Sequence, residues 1–583
     1  MAANDQNTSA ANASPSFEVK VNGTVIPMEY NLVSLVTYNA VNRLAHARIV
    51  FLDGEASKAD FPLSNKPDFL PGTPLEISLG FNGTNDLIFS GIIIRHSVKL
   101  KDNKSTFLII DCRHKAVKAT KIRKNKIFTA QKDSDIFSAV FQPYNLTLDS
   151  TDTSLEHKEM VQFNSSDWDF IVSRAEANGM LIITENEKLV FVKPDLAAEP
   201  ALQLKFGTNL LELDAEMDAR YQFETVKAFG WDPATQEVIE AEGSIPQGLQ
   251  QQGNVSTSSL STLTGDAEVN HKVSGPINET ELRAWADGQQ MKYMLSKIRG
   301  RAKCSGSAKL KPGGMINLQG AGDRFNGKVF ISGVRHEFNQ GNWLTDVEFG
   351  LSPSSFIREF DVNSLPAGGM LPAVNGLQTG VVTQLESDPL GEERVLVKMP
   401  LADADAEGIW ARQALLDAGD SRGSFFRPEV GDEVVLGFIN DDPRHAVILG
   451  MLNSSAKPAV LQPKDTNHEK GFVTREKMKI WFNDEKKIIE IATPSGNTIS
   501  LDEDQKAIAI KDQNGNEITM NEDGITIKSI KDFTLEAATG KIGISGKEVE
   551  ASGSTTAKIK GNSSAEISSS GSTTVKGSAV MIN

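Results

Sequence analysis

From Ile525 onward the chain repeats every eight residues, and that period constrains the fold more than any other feature. The blocks read ITIKSIKD, FTLEAATG, KIGISGKE, VEASGSTT, AKIKGNSS, AEISSSGS and TTVKGSAV, and the chain finishes at Asn583. Their third positions are Ile527, Leu535, Gly543, Ala551, Ile559, Ile567 and Val575. Apolar or small residues recur there, while charged and hydroxyl residues fill much of the rest. Repeats normally stack as solenoids. Eight extended residues reach about 26 Å at ~3.3 Å each, roughly one side of a solenoid rung, so a single chain does not easily wrap around itself. Its strand edges would stay unpaired. Three copies wound together supply three sides, pair the edges and bury the third positions on a common axis. The period therefore predicts a trimeric, intertwined β-prism, a stiff rod.

The rest of the composition sets broad limits. At 583 residues the chain has room for about four domains of ~150 residues. Hydrophobic residues at 39% and charged residues at 23% fit a soluble globular protein. A net charge of −16 argues against a nucleic-acid binder, which needs a basic face. Two cysteines, Cys112 and Cys304, cannot make a disulfide framework. The start, MAANDQNTSAANASPS, lacks the basic region and apolar run of a secretory signal, and no apolar stretch is long enough to span a bilayer. The expectation is synthesis and assembly in the cytoplasm.

The expected fold is mainly β with minor α. Residues 1–15 read as a disordered lead-in. Residues 16–120 form a first β-module resembling a small barrel or sandwich: FEVKVNGTVI carries an Asn-Gly turn signal between alternating apolar positions, and further strands are expected at 75–81, 87–94 and 106–112. Residues 121–200 are an α+β region. There, 166–178 has a helix start, with Trp168, Ile171, Val172 and Ala175 on one face and Gly179 as its stop, and a hairpin then turns at Asn186. Residues 201–364 form a second β-module, with a Gln/Ser/Thr/Gly-rich loop expected at 245–275. A helix is expected at 278–299, opened by a capping box of Asn278 and Glu281 and carrying Leu282, Trp285, Met294, Leu295 and Ile298. A linker at 365–376 precedes a compact all-β segment, 377–455, whose five strands suit an OB-type barrel. A spike neck at 456–524 leads into the octad prism, 525–583. No proline follows Pro494, and Phe533 is the only aromatic after Phe482, which suits a thin β structure with no room for bulky side chains.

A fainter repeat links the two β-modules. Residues 71–96 and 312–336 share an opening Pro-Gly, a Ser-Gly and a closing Arg-His. Pro71 to Ser90 spans 19 residues and Pro312 to Ser332 spans 20. If this is a duplication, a trimer presents six similar modules.

Three segments together carry a family likeness over nearly all of residues 16–583: VQFNSSDWDFIVSRAEANGM (161–180), SFFRPEVGDEVVLGFINDDPRHAVILGMLNS (424–454) and GNTISLDEDQKAIAIKDQNGNEITMNEDGITI (496–527). The chain resembles the VgrG-type spikes of contractile injection systems, which in turn resemble the fused hub and spike of contractile phage tails. The resemblance implies a homotrimeric hub of two barrel-like modules with an α+β insert, an OB barrel and a piercing prism. Six modules would match a hexameric inner-tube protein by duplication. The other implied partners are baseplate subunits, effector cargo and, transiently, a target membrane; no nucleic acid is implied. The particle would be ejected or released. Asn453 leads to the prism neck through about 25 residues, leaving no room for the lysozyme-like domain of some phage versions. The end, Val580-Met581-Ile582-Asn583, lacks the His-x-His metal motif of some phage tips, so a separate PAAR-type tip protein is implied.

The search for chemistry is negative: no catalytic, cofactor or metal residues are predicted, and the expectation is a non-enzymatic, mechanical protein. Gly419-Asp420-Ser421-Arg422-Gly423 fits the G-x-S-x-G pattern, but a nucleophile elbow needs a following helix, and Phe425, Phe426, Arg427 and Pro428 lead to another strand. Cys112-Arg113-His114 supplies at most half a tetrahedral site and reads as the end of a buried strand. Gly320-Ala321-Gly322 lacks the third glycine and the βαβ setting of a dinucleotide site. The basic run 115–126 reads as a solvated loop or a contact with an acidic partner. Asp403, Asp405 and Glu407 read as surface loop charges. Two rival readings are an adhesive fibre or tailspike for surface polysaccharide, and an enzyme-bearing spike acting through Ser421.

Overall fold

The computed structural model describes residues 13–101, 105–265 and 267–582. The chain is mainly β, 41% strand against 12% helix, and divides into two units: 1–375 with 440–443, and 376–439 with 444–583.

The first unit is organised by one 13-stranded sheet. Its first half contains β1 (Pro15–Val21), β2 (Leu32–Ala40), β3 (His46–Leu52), β4 (Pro74–Phe81), β5 (Thr84–Leu100) and β6 (Thr106–Arg113). After β1 the chain reverses through Asn22 and Gly23, both left-handed at φ 49° and 80°, as the Asn-Gly signal requires. Two helices follow, α1 (Asp133–Phe141) and α2 (Asp167–Ala177). The second half contributes β7 (Leu210–Met217), α3 (Thr257–Thr264), α4 (Glu279–Leu295), β8 (Ile298–Ser305), β9 (Met315–Gln319), β10 (Gly327–Asn339) and β11 (Asn342–Phe349). Along the sheet the order is β7-β8-β11-β10-β2-β3-β6-β5-β4-β1.

The duplication is present in the backbone. β2 to β6 and β7 to β11 share one pairing scheme, with the pieces between β7 and β8 inserted into the second copy. In the first copy the Gly72 N–H donates to the Ile93 carbonyl at 2.7 Å and the Ile93 N–H to Thr73 at 2.9 Å. In the second, Gly313 donates to Ile331 at 2.8 Å and Ile331 to Gly314 at 2.9 Å. A bulge follows both isoleucines, between Ile93 and Arg95 and between Ile331 and Gly333. The opening Pro-Gly keeps step with this match, but the Ser-Gly and Arg-His do not: Arg95 lies two residues after Ile93, and Arg335 lies four after Ile331. The Arg-His likeness is therefore not a correspondence of positions; the pairing and the bulges are.

The halves join where β10 pairs with β2, from Gly333 opposite Ala40 to Asn339 opposite Ser34. Phe338 and Trp343 of the second half complete the core of the first, with Leu35, Ile49, Phe51, Ile77 and Ile110. Fully burying such side chains contributes about 1.5–3 kcal/mol each.

The helical region has its own core of Phe137, Phe141, Phe191, Trp168 and Ile171. Ser166 caps α2, its hydroxyl accepting the Asp169 N–H at 3.1 Å, and Gly179 ends it at φ 66°. There α2 meets α4: a Cβ on Gly288 would lie 2.9 Å from the Gly179 Cα. Two expectations need correction. The 245–275 stretch is not one loop, because Ser256 caps α3, whose Leu260 is buried, and a strand at Glu268–Pro276 pairs parallel to Thr225–Asp232. The 278–299 helix stops at Leu295, and Ile298 opens β8. Its capping box is half made. Asn278 accepts the Thr280 N–H at 2.8 Å, while Glu281 pairs with Arg174 instead.

The second unit opens with a closed five-stranded barrel, Gln378–Gln384, Val395–Lys398, Ile409–Gln413, Ala446–Leu452 and Glu433–Phe438 in order around it. Val382, Val397, Ala411, Val434, Leu436 and Ile448 fill it. A seven-stranded antiparallel meander follows, from Glu469–Val473 to Gly524–Lys528. It takes in the first half of the first octad, so the meander extends past the expected neck boundary. From Ser529 to Ile582 no residue is in a helix or strand.

Candidate functional site

The meander from Glu469 to Lys528 presents the surface most in need of a partner. Its strands are five residues long, and side chains that bond to the turn backbone set the reversals between them. Asn483 accepts the Lys486 N–H at 2.9 Å, Asp502 that of Gln505 at 2.9 Å, and Asp512 those of Asn514 and Asn516 at 2.9 and 2.8 Å. Hydrogen bonds from Asn516 hold the Asp512 carboxyl down at about 2.

These turns fix the register, and the register lines up apolar residues. Ile480 faces Ile491, Ile491 faces Ile499, Ile499 faces Ile510, Ile510 faces Ile518 and Ile518 faces Ile527. Beside that row, Phe482, Ile489, Leu501, Ile508, Met520 and Ile525 form a second. Alternation along each strand puts both rows on one face, with Lys479, Glu490, Ser500, Lys511 and Thr519 on the other. Nothing in the described residues covers the apolar face: Ile480, Ile491, Ile499 and Ile510 are 41–46% exposed. Ile491, Ile499, Ile510, Ile518 and Ile527 of the first row line an open apolar trough with Phe533. Beyond it the octad third positions are exposed too, Leu535 at 61% and Ile567 at 74%. A continuous exposed apolar surface of this kind marks an interaction site.

The chemical motifs do not assemble into a reaction centre. Ser421 is the turn of a two-residue-stranded hairpin, Ala418–Gly419 against Arg422–Gly423, at φ 55°. Its hydroxyl donates to Asp420 at 3.1 Å, Arg422 pairs with Asp417, and the next element of the barrel is the strand Glu433–Phe438. Cys112 points into the first core, where burial pushes its thiol up. Burial raises Cys304 to about 12. His114 turns away to cap the 3₁₀ turn at Lys115–Thr120, accepting the Ala116 N–H at 3.2 Å. Gly320 and Gly322, at φ 73° and 76°, shape the turn between β9 and β10. Asp403 accepts the N–H groups of Asp405 and Ala406 within its loop. Among the described residues no group of three or more His, Cys, Asp or Glu could hold a metal ion, and no helix is long and apolar enough to cross a membrane.

Much of the basic run 115–126 is committed inside the chain. Lys115 pairs with Glu187, Lys124 with Asp167 at 2.5 Å, and Arg123 donates to the carbonyls of Asn164 and Val362 at 2.7 and 3.0 Å.

Sequence reasoning missed one buried polar knot in the first unit. Asp133, 2% exposed along its side chain, accepts from Arg174 at 2.9 and 2.8 Å and from Asn178 at 2.8 Å. His157 lies 2.9 Å away. Arg174 also reaches Glu281 at 2.8 Å, so the knot ties α1, α2 and α4 together. Burial works against ionising Asp133, but the hydrogen bonds and charge of Arg174 outweigh it and hold the carboxyl below its ordinary value. The sealed, fully hydrogen-bonded arrangement fits a structural role.

With this geometry in hand, comparisons place the chain. Residues 11–340 match the Alg8 N-terminal domain family. Residues 378–452, the barrel, match the type VI secretion system/phage-baseplate injector OB domain, which bears out the VgrG-type likeness read at 424–454. Among solved structures, a 43 kDa prophage tail protein of Shewanella oneidensis is similar at 11% identity over 58% of this chain and 99% of its own, TM-score 0.45. An E. coli type VI secretion component is similar at 14% identity over 74% and 99%, TM-score 0.39. A Francisella PdpA–VgrG complex matches at 11% identity over 89% and 80%, TM-score 0.39.

Proposed function

The chain belongs to the Alg8 N-terminal domain family, and from that premise and its injector-type barrel we infer a structural role as the hub and spike of a contractile injection apparatus. Three copies form the working unit. Their first units cap the hexameric inner tube within a baseplate and nucleate its assembly. Their C-terminal segments braid into a prism that carries the axial force of contraction to a target membrane. Assembly takes place in the cytoplasm, and the trimer leaves as part of the particle, with effector cargo on the tip or in the tube and a PAAR-type protein closing the end.

The observation that carries this reading is the pair of apolar rows on the uncovered face of the 469–528 meander, continued by the exposed third positions of the octads. Covering the half-exposed side chains is worth about 1 kcal/mol each, roughly 10 kcal/mol per chain over the two rows. Three such faces meeting on one axis satisfy all of them at once. Strands contributed by neighbouring copies would also satisfy the backbone groups that the octads leave unpaired. Each such bond is worth only about 1 kcal/mol net, but in a braid they must break together, which gives stiffness.

The test is sedimentation equilibrium of the full chain at micromolar concentration, with and without Ile491→Asp and Ile510→Asp, alongside electron microscopy of particles from the producing cell. The expected results are a trimer for the natural sequence, and no trimer and no complete particles for the variant. A stable monomer of the natural sequence overturns the reading.

A further inference from the structure

The first unit holds a cavity of about 220 Å³ that carries positive charge without a matching anion. Leu196, Leu249, Leu295, Met315 and Phe330 form its apolar wall, and all five belong to one hydrophobic cluster. Lys297 and Lys328 line it too, and among the described residues no aspartate or glutamate does. Lys297, between α4 and β8, is only 7% exposed. Its ammonium donates to the carbonyls of Gln252 and Val255, both at 3.0 Å. An ammonium has three donors, so one is left over. Burial pulls its pKa below the ordinary lysine value, and no anionic neighbour opposes that pull. Lys328 has only Glu199, 3.6 Å away with a side chain 92% exposed. A buried charge is costly unless it is paired.

We propose that this cavity binds a small monocarboxylate with an apolar body, its carboxylate held by Lys297 and Lys328 and its chain laid against Leu249, Met315 and Phe330.

The size and the walls select this class of ligand. An apolar cavity of about 150 Å³ holds a benzene ring, so the present one has room for a chain of about eight carbons. A neutral apolar guest would leave the buried ammonium unmatched. A small anion such as acetate would leave the apolar wall without contacts. Ser256 and Thr257, at the N-terminus of α3, also line the cavity, and the positive end of that helix adds to the two lysines.

The site is preformed, which lowers the cost of binding. Residues 249–257 pass over the cavity as a strap, and Lys297 ties down two of their carbonyls. The Gly253 N–H donates to the Asn326 carbonyl at 2.9 Å, and Arg324 donates to the Asn254 side chain at 2.7 Å. Gly253 stands at φ 67°, and a Cβ there would meet the Arg324 carbonyl oxygen at 2.0 Å, so the strap has one close fit. All of these residues lie in the first unit of a single chain. The site is therefore independent of how many copies assemble.

Isothermal titration calorimetry of the full-length chain with sodium octanoate, octan-1-ol and sodium acetate tests this. The expected result is one octanoate per chain with a dissociation constant below about 1 mM. Octan-1-ol and acetate should each bind at least about ten-fold more weakly, the loss of one good interaction. Lys297→Met should weaken octanoate about ten-fold and Lys328→Met about five-fold, with circular dichroism unchanged. The absence of octanoate binding overturns the proposal, as does equal binding of octanoate and octan-1-ol. Unchanged octanoate binding by a folded Lys297→Met overturns it too. If that variant does not fold, Lys328→Met decides in its place: unchanged octanoate binding there overturns the assignment.

Discussion

The 15–364 region and the 469–582 region handle apolar side chains in opposite ways. The first buries them within the chain: Phe51, Phe69, Phe137, Phe141, Phe191, Phe330 and Phe349 are sealed. The second has one buried residue among those described, Ala492, and arranges its isoleucines in rows that face outward. Composition alone does not separate these behaviours, since both regions alternate apolar and polar residues along strands. Layering does. The first stacks strands, helices and a second copy of itself into closed cores, while the second is one sheet thick and leaves its apolar face uncovered among the described residues. The contrast teaches that single-chain stability and assembly are written into different parts of this sequence, so each should fail separately.

The largest separation is expected from Ile491→Asp with Ile510→Asp. On the proposed trimer axis the six carboxylates would cost several kcal/mol each, on the order of 10 kcal/mol or more in total. Sedimentation should show trimers lost, while the first unit's thermal transition stays in place. The converse break is Asp133→Ala. It takes from Arg174 its most buried partner and leaves it Glu281 alone, a loss of up to about 3 kcal/mol, which calorimetry should register as a lower first-unit transition with the C-terminal association unchanged.

A pH titration sharpens the same contrast. Burial lowers His336 to about 3 and His114 to about 4, against about 6.5 in an unfolded chain. Both depressed values contribute stability that is complete above pH ~6.5 and is lost as pH falls toward the folded values. At pH 5 the loss reaches roughly 2 kcal/mol per buried histidine. No histidine follows His468, and Asp512 titrates near 2. The first unit's melting temperature should therefore drop between pH 6.5 and 5 while that of the C-terminal region holds. His336→Phe should flatten part of the first unit's drop. The smallest effect is expected at Ser421→Ala, an exposed turn residue. Stability should change by less than about 0.5 kcal/mol, and delivery by the assembled particle should be unchanged.

What was legible in the sequence was local or periodic. The octads announce apolar third positions that one chain leaves exposed, because a period of eight is too short for a single chain to wrap around itself. Ser166, Gly179 and the Asn22-Gly23 turn mark their elements because caps and left-handed turns demand particular residues. What was not legible depends on long-range register. The Asp133 knot joins residues as far apart as 133 and 281, and no local pattern ties Glu281 to Arg174 rather than to its own helix start. Ile298 continues the apolar periodicity of α4, so only its pairing into β8 takes it out of the helix. α3 is hidden in a Ser/Thr-rich run whose propensity favours a loop, and burial of Leu260 decides it. The duplication could be sensed from Pro-Gly, Ser-Gly and Arg-His, but its true alignment runs through two bulges that leave no mark in composition.

One measurement bears most directly on the claim that copies of this chain cover the apolar rows: native mass spectrometry of the full-length protein at micromolar concentration. The account predicts a dominant species at three times the 63.2 kDa chain mass, persisting on dilution. A dominant species at one chain mass, with the first unit folded, would contradict it.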